Sequence, residues 1–154
     1  MNDLFVDATA GIINNTDFCD DDMGVKKGDQ YIKLDFYDIS DDADDNEFID
    51  NNIIVYRSGA IDATIGKNTK HAKKLLDIYK KINGGKTDDI VEFDLIESYC
   101  SHDNNGVYIG GNDKERWNRT KQFINDNRIV LLTEAERELE AEGMYDNEIT
   151  AKRL

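Results

Sequence analysis

Proline is absent from all 154 residues. At the average usage of about 5 %, a chain this long would carry several. Turns must therefore rest on Gly, Asn and Asp, which reach turn conformations by other means. Cysteine is scarce as well: Cys19 and Cys100 lie far apart. That excludes a disulfide framework, and no Cys/His cluster has zinc spacing. His71 and His102 are both isolated from any cysteine pair. No apolar run approaches the roughly 20 residues of a membrane helix. The opening MNDLFVDATAG lacks the basic start and long apolar stretch of a secretion signal. The expectation is a cytoplasmic protein with two reduced thiols and no membrane partner.

Basic charge is also in short supply. Asp and Glu number 33 against 19 Lys and Arg, a net of −14. The imbalance is uneven. Residues 1–56 carry 15 acidic and 3 basic side chains, residues 57–87 carry 2 and 8, and residues 88–154 carry 16 and 8. An acidic first third thus precedes a short basic island. Such a molecule repels nucleic acid and anionic membranes and attracts basic proteins. The bias toward Asn, Ile and Lys points to an AT-rich coding genome, such as that of a low-GC bacterium or its phage.

Apolar residues reach 39 % and charged residues 34 %. That mixture fits one compact domain over 1–154 with long polar loops, large enough to bury a core without staples. The acidic loops fall near 14–29 and 38–52. DLFVDATAGII reads as a strand ending near Gly11. QYIKLDFYDI alternates with period two, as a half-buried strand does, and NNIIVYRSGAI is its hairpin partner. NTKHAKKLLDIYKKINGG is the clearest helix. Asn68 or Thr69 caps it, Ala72, Leu75, Leu76, Tyr79 and Ile82 form its apolar stripe, and Gly84-Gly85 stops it. DIVEFDLIESYC and GVYIGG read as two strands about an Asn105-Gly106 turn. A helix starts at Asn112, with Glu115 completing a capping box and Trp117, Thr120 and Ile124 on its inner face. RIVLL is a short buried strand. Thr133 and Glu136 box a further helix that runs to Gly143, and Met144 to Leu154 forms one more short helix. Few helices among consecutive strands indicate an α+β domain with a mainly antiparallel sheet.

Motifs for chemistry are weak. DISDDADDNEFID, from Asp38 to Asp50, holds seven acidic residues of thirteen. Asp42, Asp44 and Asn46 fit the first half of a calcium loop. Glu47 then stands where Gly must turn and Ile53 where Glu must ligate, which argues against a dedicated calcium site. Asp35, Asp38, Glu92 and Asp94 are candidates for a shared magnesium ion, without the E-x-K spacing of a common nuclease core. Gly110-Gly111 before a helix, helped by Lys114 and Arg116, has the outline of an anion turn but neither phosphate-loop pattern. RELEAEGM resembles the helix of Nudix-type hydrolases with its glutamate spacing one residue short, and reads better as an exposed acidic helix. Cys100-Ser101-His102 are sequence neighbours, which gives no triad geometry. D-A-T-x-G occurs at Asp7–Gly11 and Asp62–Gly66, with flanks that diverge at once. A shared turn preference or chance accounts for it better than a repeat.

The leading reading is therefore a non-enzymatic acidic binding protein that occupies a basic protein surface. A host nuclease would be a fitting partner, by analogy of charge and size with anti-restriction and anti-CRISPR nucleic-acid mimics. Its candidate partner-binding residues are Asp20, Asp21, Asp22, Asp38, Asp41, Asp42, Asp44, Asp45 and Glu47. No cofactor, metal or catalytic residue is implied. An immunity protein or antitoxin facing a basic toxin is the alternative, and a small metal-dependent hydrolase the third reading.

Overall fold

The computed structural model describes residues 4–14, 25–38, 51–66, 71–86, 90–93, 98–101, 110–141 and 152–154. Four strands form its centre: β1 (Leu4–Ile12), β2 (Gln30–Asp38), β3 (Asn51–Tyr56) and β4 (Ile61–Gly66). Each pairs antiparallel with the next. The hairpin expected on either side of the acidic stretch is β2–β3. β5 (Val91–Phe93) and β6 (Ser98–Cys100) extend the sheet beyond β4, giving the antiparallel order β5-β6-β4-β3-β2-β1. The far edge of β1 is shared. β7 (Leu131–Thr133) runs parallel to its second half, and β8 (Lys152–Arg153) runs antiparallel to its first half.

Period-two patterning makes the sheet one-sided. Leu4, Val6, Ala8, Ile32, Leu34, Phe36, Ile53, Val55, Ile61, Ala63 and Ile65 all bury into one core. The register places Leu34 between Ala8 and Ile53, and Ile53 opposite Ala63, so these side chains form a continuous row. Two helices cover that row: α1 (Ala72–Ile82) and α2 (Glu115–Asp126). α1 contributes Leu75, Ile78, Tyr79 and Ile82, and α2 contributes Phe123 and Ile124. α3 (Glu134–Ala141) lies over the opposite face at its β1 edge, where Arg137 reaches Thr9. The result is a single α+β domain. No helix among the described residues is long and apolar enough to cross a membrane.

Several local expectations change. The buried stripe of α1 is centred on Leu75, Ile78, Tyr79 and Ile82; Leu76 and Ala72 are half-buried at its border. Hydrophobic spacing alone could not separate Leu76 from Ile78, since both lie within one turn of Leu75 and Tyr79. His71 occupies the boundary before α1 without a side-chain cap, and Asn68 and Thr69 lie outside the described residues. Gly84 and Gly85 end α1 as expected, at φ +69° and +88°, with the Gly85 N–H bonded to the Lys80 carbonyl. The segment expected as one strand over DIVEFDLIESYC is two, β5 and β6, paired as a hairpin. GVYI and the Asn105-Gly106 turn lie outside the described residues. RIVLL narrows to β7, in which only Leu132 is buried. The end of the tail is strand, not helix: the Leu154 N–H bonds the Leu4 carbonyl, and Lys74 reaches the Leu154 carbonyl. Both D-A-T-x-G copies are strand, in β1 and β4, so the likeness is no turn preference. In each, Ala8 or Ala63 faces the core and Asp and Thr face away.

Leu75→Ala removes a fully buried side chain at the helix–sheet contact and should cost roughly 2–5 kcal/mol. Lys73→Ala, on the exposed side of α1, should change stability by less than about 0.5 kcal/mol. Urea denaturation of both variants checks the orientation of the helix; equal losses would contradict it.

Candidate functional site

Of the nine acidic residues expected to meet a partner, Asp38 alone is a described residue. It closes β2 opposite Leu4. Asp20, Asp21, Asp22, Asp41, Asp42, Asp44, Asp45 and Glu47 lie outside the described residues. What the structure does define is where the chain departs and returns around them. Segment 39–50 leaves after Asp38 and returns at Asn51, which pairs with Phe36. Segment 15–24 leaves after Asn14 and returns at Val25. Its base is clamped by the Ile13 N–H on the Asp29 carbonyl and the Gly28 N–H on the Ile13 carbonyl. The two departures lie at opposite ends of β2, which spans nine residues. At about 3.3 Å per residue they are roughly 27 Å apart.

Charge follows the same division. The described residues carry 17 basic and 14 acidic side chains, a net of +3. All other residues together carry 19 acidic and 2 basic. In sequence the acid is most concentrated in residues 15–24 and 39–50, which hold four and six acidic side chains and no basic one.

On the sheet face away from the main core, charges are matched locally. Asp7 stands directly opposite Asp35. Arg137 Nη1 lies 3.5 Å from Asp7 Oδ1, and Lys33 Nζ lies 3.6 Å from Asp35 Oδ1. Arg137 also donates to Thr9 Oγ1 (3.1 Å) and to the Ala8 carbonyl (2.7 Å), which fixes α3 to β1. The helix read as merely exposed and acidic is thus docked by its one arginine. Its N-terminus carries the expected capping box: Glu136 Oε1 accepts from the Thr133 N–H (3.2 Å), and Thr133 Oγ1 accepts from the Glu136 N–H (3.2 Å). Beside it the Tyr31 hydroxyl donates to Glu134 Oε1. Gly11 permits this contact, since a Cβ there would lie 2.6 Å from both the Glu134 carboxyl and the Tyr31 ring.

The Gly110-Gly111 turn is not an anion cradle built on Arg116. That side chain is 2 % exposed and points into the protein. It donates to Asn83 Oδ1 (2.7 Å) and to the carbonyls of Gly59 (2.8 Å), Gly111 (2.7 Å) and Gly110 (2.9 Å). The cap of α2 is Asp113, whose Oδ1 accepts from the Glu115 N–H at 3.0 Å, so the helix begins later than the Asn112 start expected from sequence. Asp113 Oδ2 lies 2.9 Å from Arg119 Nη1. That hydrogen bond is the main cause that holds the Asp113 carboxyl below its ordinary pKa. Partial burial opposes it, and the Glu115 N–H and the charges of Arg119 and Arg116 add to it.

Two of the positions considered for magnesium, Asp35 and Glu92, stand far apart in the sheet. Asp35 is on β2 and Glu92 on β5, with β3, β4 and β6 between them. At about 4.8 Å per strand they are roughly 19 Å apart; Asp94 lies outside the described residues. Among the described residues, no group of three or more His, Cys, Asp or Glu is placed to hold a metal ion. Ser101 is also accounted for. Its hydroxyl accepts from the Ala63 N–H (3.2 Å) and lies 3.1 Å from the Ile61 carbonyl, completing the edge of β4 where β6 stops. No family model, curated protein or solved structure matches the chain.

Asp113→Asn keeps the oxygen that caps α2 and removes the charge facing Arg119. A carboxyl whose folded pKa is lowered stabilises the fold above its unfolded pKa and loses that contribution as pH falls through the folded value. The variant should be less stable than the parent at pH 7 by up to about 1 kcal/mol, the range for partly exposed pairs. The gap should close as acid protonates Asp113. Denaturation at pH 7 and in the acid range measures it, and equal stability at pH 7 would contradict the assignment.

Proposed function

We propose that this chain is a non-enzymatic binding protein whose carboxylates occupy a basic surface on a partner protein. The observation that carries the reading is the concentration of acid on either side of β2 in sequence, where two short stretches hold ten of the 33 acidic residues. Segments 15–24 and 39–50 contain four and six acidic side chains and no basic one. Crowded carboxylates repel by about 1 kcal/mol per pair at 4 Å in water before salt screening. Fold stability gives no reason to concentrate them, whereas a basic partner relieves the repulsion and steers association. Anchored roughly 27 Å apart along β2, the two segments can address an extended basic surface.

A nuclease groove is such a surface, because it is shaped for the regularly spaced phosphates of a duplex. Asp38, Asp41, Asp42, Asp44, Asp45 and Glu47 would imitate phosphates at one end, and Asp20, Asp21 and Asp22 at the other.

Replacing Asp41, Asp42, Asp44 and Asp45 with Asn should preserve or raise stability while weakening capture of the natural partner. Each tenfold loss of affinity corresponds to about 1.4 kcal/mol. Affinity should fall with salt, and less steeply for the variant. Titration of the captured partner at low and physiological salt tests this. Identical affinities for parent and variant under both conditions would mean that the stretch is a spacer.

A further inference from the structure

The scaffold has a second recognition feature, of the opposite sign. Two hollows of about 340 and 540 Å³ share Ile12, Asn14, Tyr31 and Glu134, and so form one cleft at the end of the sheet where β1 stops and β2 starts. On one side it runs along Lys33, Ile54 and Tyr56. On the other it reaches Arg57, Trp117, Lys121 and Leu131. Its size falls in the range of small-molecule sites.

The lining has a definite chemistry. The Arg57 guanidinium sits over the Trp117 ring, 5.3 Å from its centroid. Lys121 follows Trp117 by one helical turn and shares its side of α2. Among the described residues, neither Arg57 nor Lys121 forms an ion pair with a carboxylate; Arg57 reaches Gln30 Oε1 at 3.5 Å. The acid of the cleft, Glu134, already accepts from the Tyr31 hydroxyl. Ile12 and Leu131 are 48 % and 39 % exposed and give the cleft open apolar surface. Among the described residues the buried Nε1–H of Trp117 has no hydrogen-bond acceptor. Aromatic and aliphatic walls and two cations on one side together fit a flat ring that carries a negative charge.

We propose that this cleft binds a small aromatic anion, with the ring against Tyr31, Ile12 and Leu131 and the anionic group held by Arg57 and Lys121. A cation would meet two like charges there. A neutral aliphatic ligand would leave both cations without counter-charge. The cleft gives the scaffold a role in ligand recognition beyond carrying the acidic segments.

The chain has one tryptophan, so its indole N–H gives a single resonance in a nitrogen-15 correlation spectrum. The probes are adenosine 5′-monophosphate and indole-3-acetate, which separate phosphate from carboxylate, with adenosine and indole as neutral counterparts. At least one anion should shift the Trp117 signal saturably, with a dissociation constant below about 1 mM. Its neutral counterpart should bind at least about tenfold more weakly, as should the anion to the Arg57→Gln, Lys121→Gln double variant. Both substituted residues are exposed, and dispersed amide signals report that the variant is folded. The proposal is overturned if neither anion gives a saturable shift, if a neutral counterpart binds as tightly, or if the folded double variant binds undiminished.

Discussion

The buried guanidinium of Arg116 is the contact on which the relative placement of the other parts depends. One side chain satisfies the carbonyls of Gly59, Gly110 and Gly111 and the amide oxygen of Asn83. It thereby ties the β3–β4 turn, the end of α1 and the entry to α2 to a single point. Leaving a buried acceptor unpaired costs about 1–3 kcal/mol each, so truncation here would be felt several times over. The packing around it is correspondingly close. Gly59 sits at φ +102°, and a Cβ there would lie 2.6 Å from the backbone carbon of Asp113. The Asp113 N–H in turn bonds the Gly59 carbonyl. Because α2 is held against this turn, Trp117 meets Arg57 two residues before Gly59, and the wall of the cleft follows from the same tie.

The second constraint is the one-sided sheet. With apolar residues confined to alternate positions, the other face must be polar, and the structure balances it locally through Arg137 and Lys33. Nothing in that balance requires a large excess of acid. Ten of the 33 acidic residues fall in 15–24 and 39–50, on either side of β2 in sequence. On the proposed function, folding and partner recognition make separate demands on separate parts of the chain.

Much of the scaffold was legible because short-range rules govern it. The alternation in QYIKLDFYD, the Gly84-Gly85 stop and the Thr133–Glu136 box each depend on neighbours within a few positions, and each is present. What sequence could not show depends on distant partners. Arg116 has the look of a surface charge, since its acceptors Asn83 and Gly59 lie 33 and 57 positions away. The same holds for Arg137, which spans 128 positions to Thr9, and for Tyr31 with Glu134, which spans 103. The cleft rests on those same long-range pairs, so no local motif announces it. Glycine at position 11 was the nearest available signal: a strand interior without a side chain marks a close approach.

The most direct measurement is of which partner contributes which charge. Carbodiimide coupling joins a carboxylate of one protein to a lysine of another only when the two are in contact. Applied to the complex captured from cells in which the chain naturally occurs, it should link Asp41, Asp42, Asp44 and Asp45, or Asp20 to Asp22, to lysines of the partner. Links that run the other way, from Lys73, Lys80 or Lys81 of α1 to carboxylates of the partner, would contradict the acidic-surface reading.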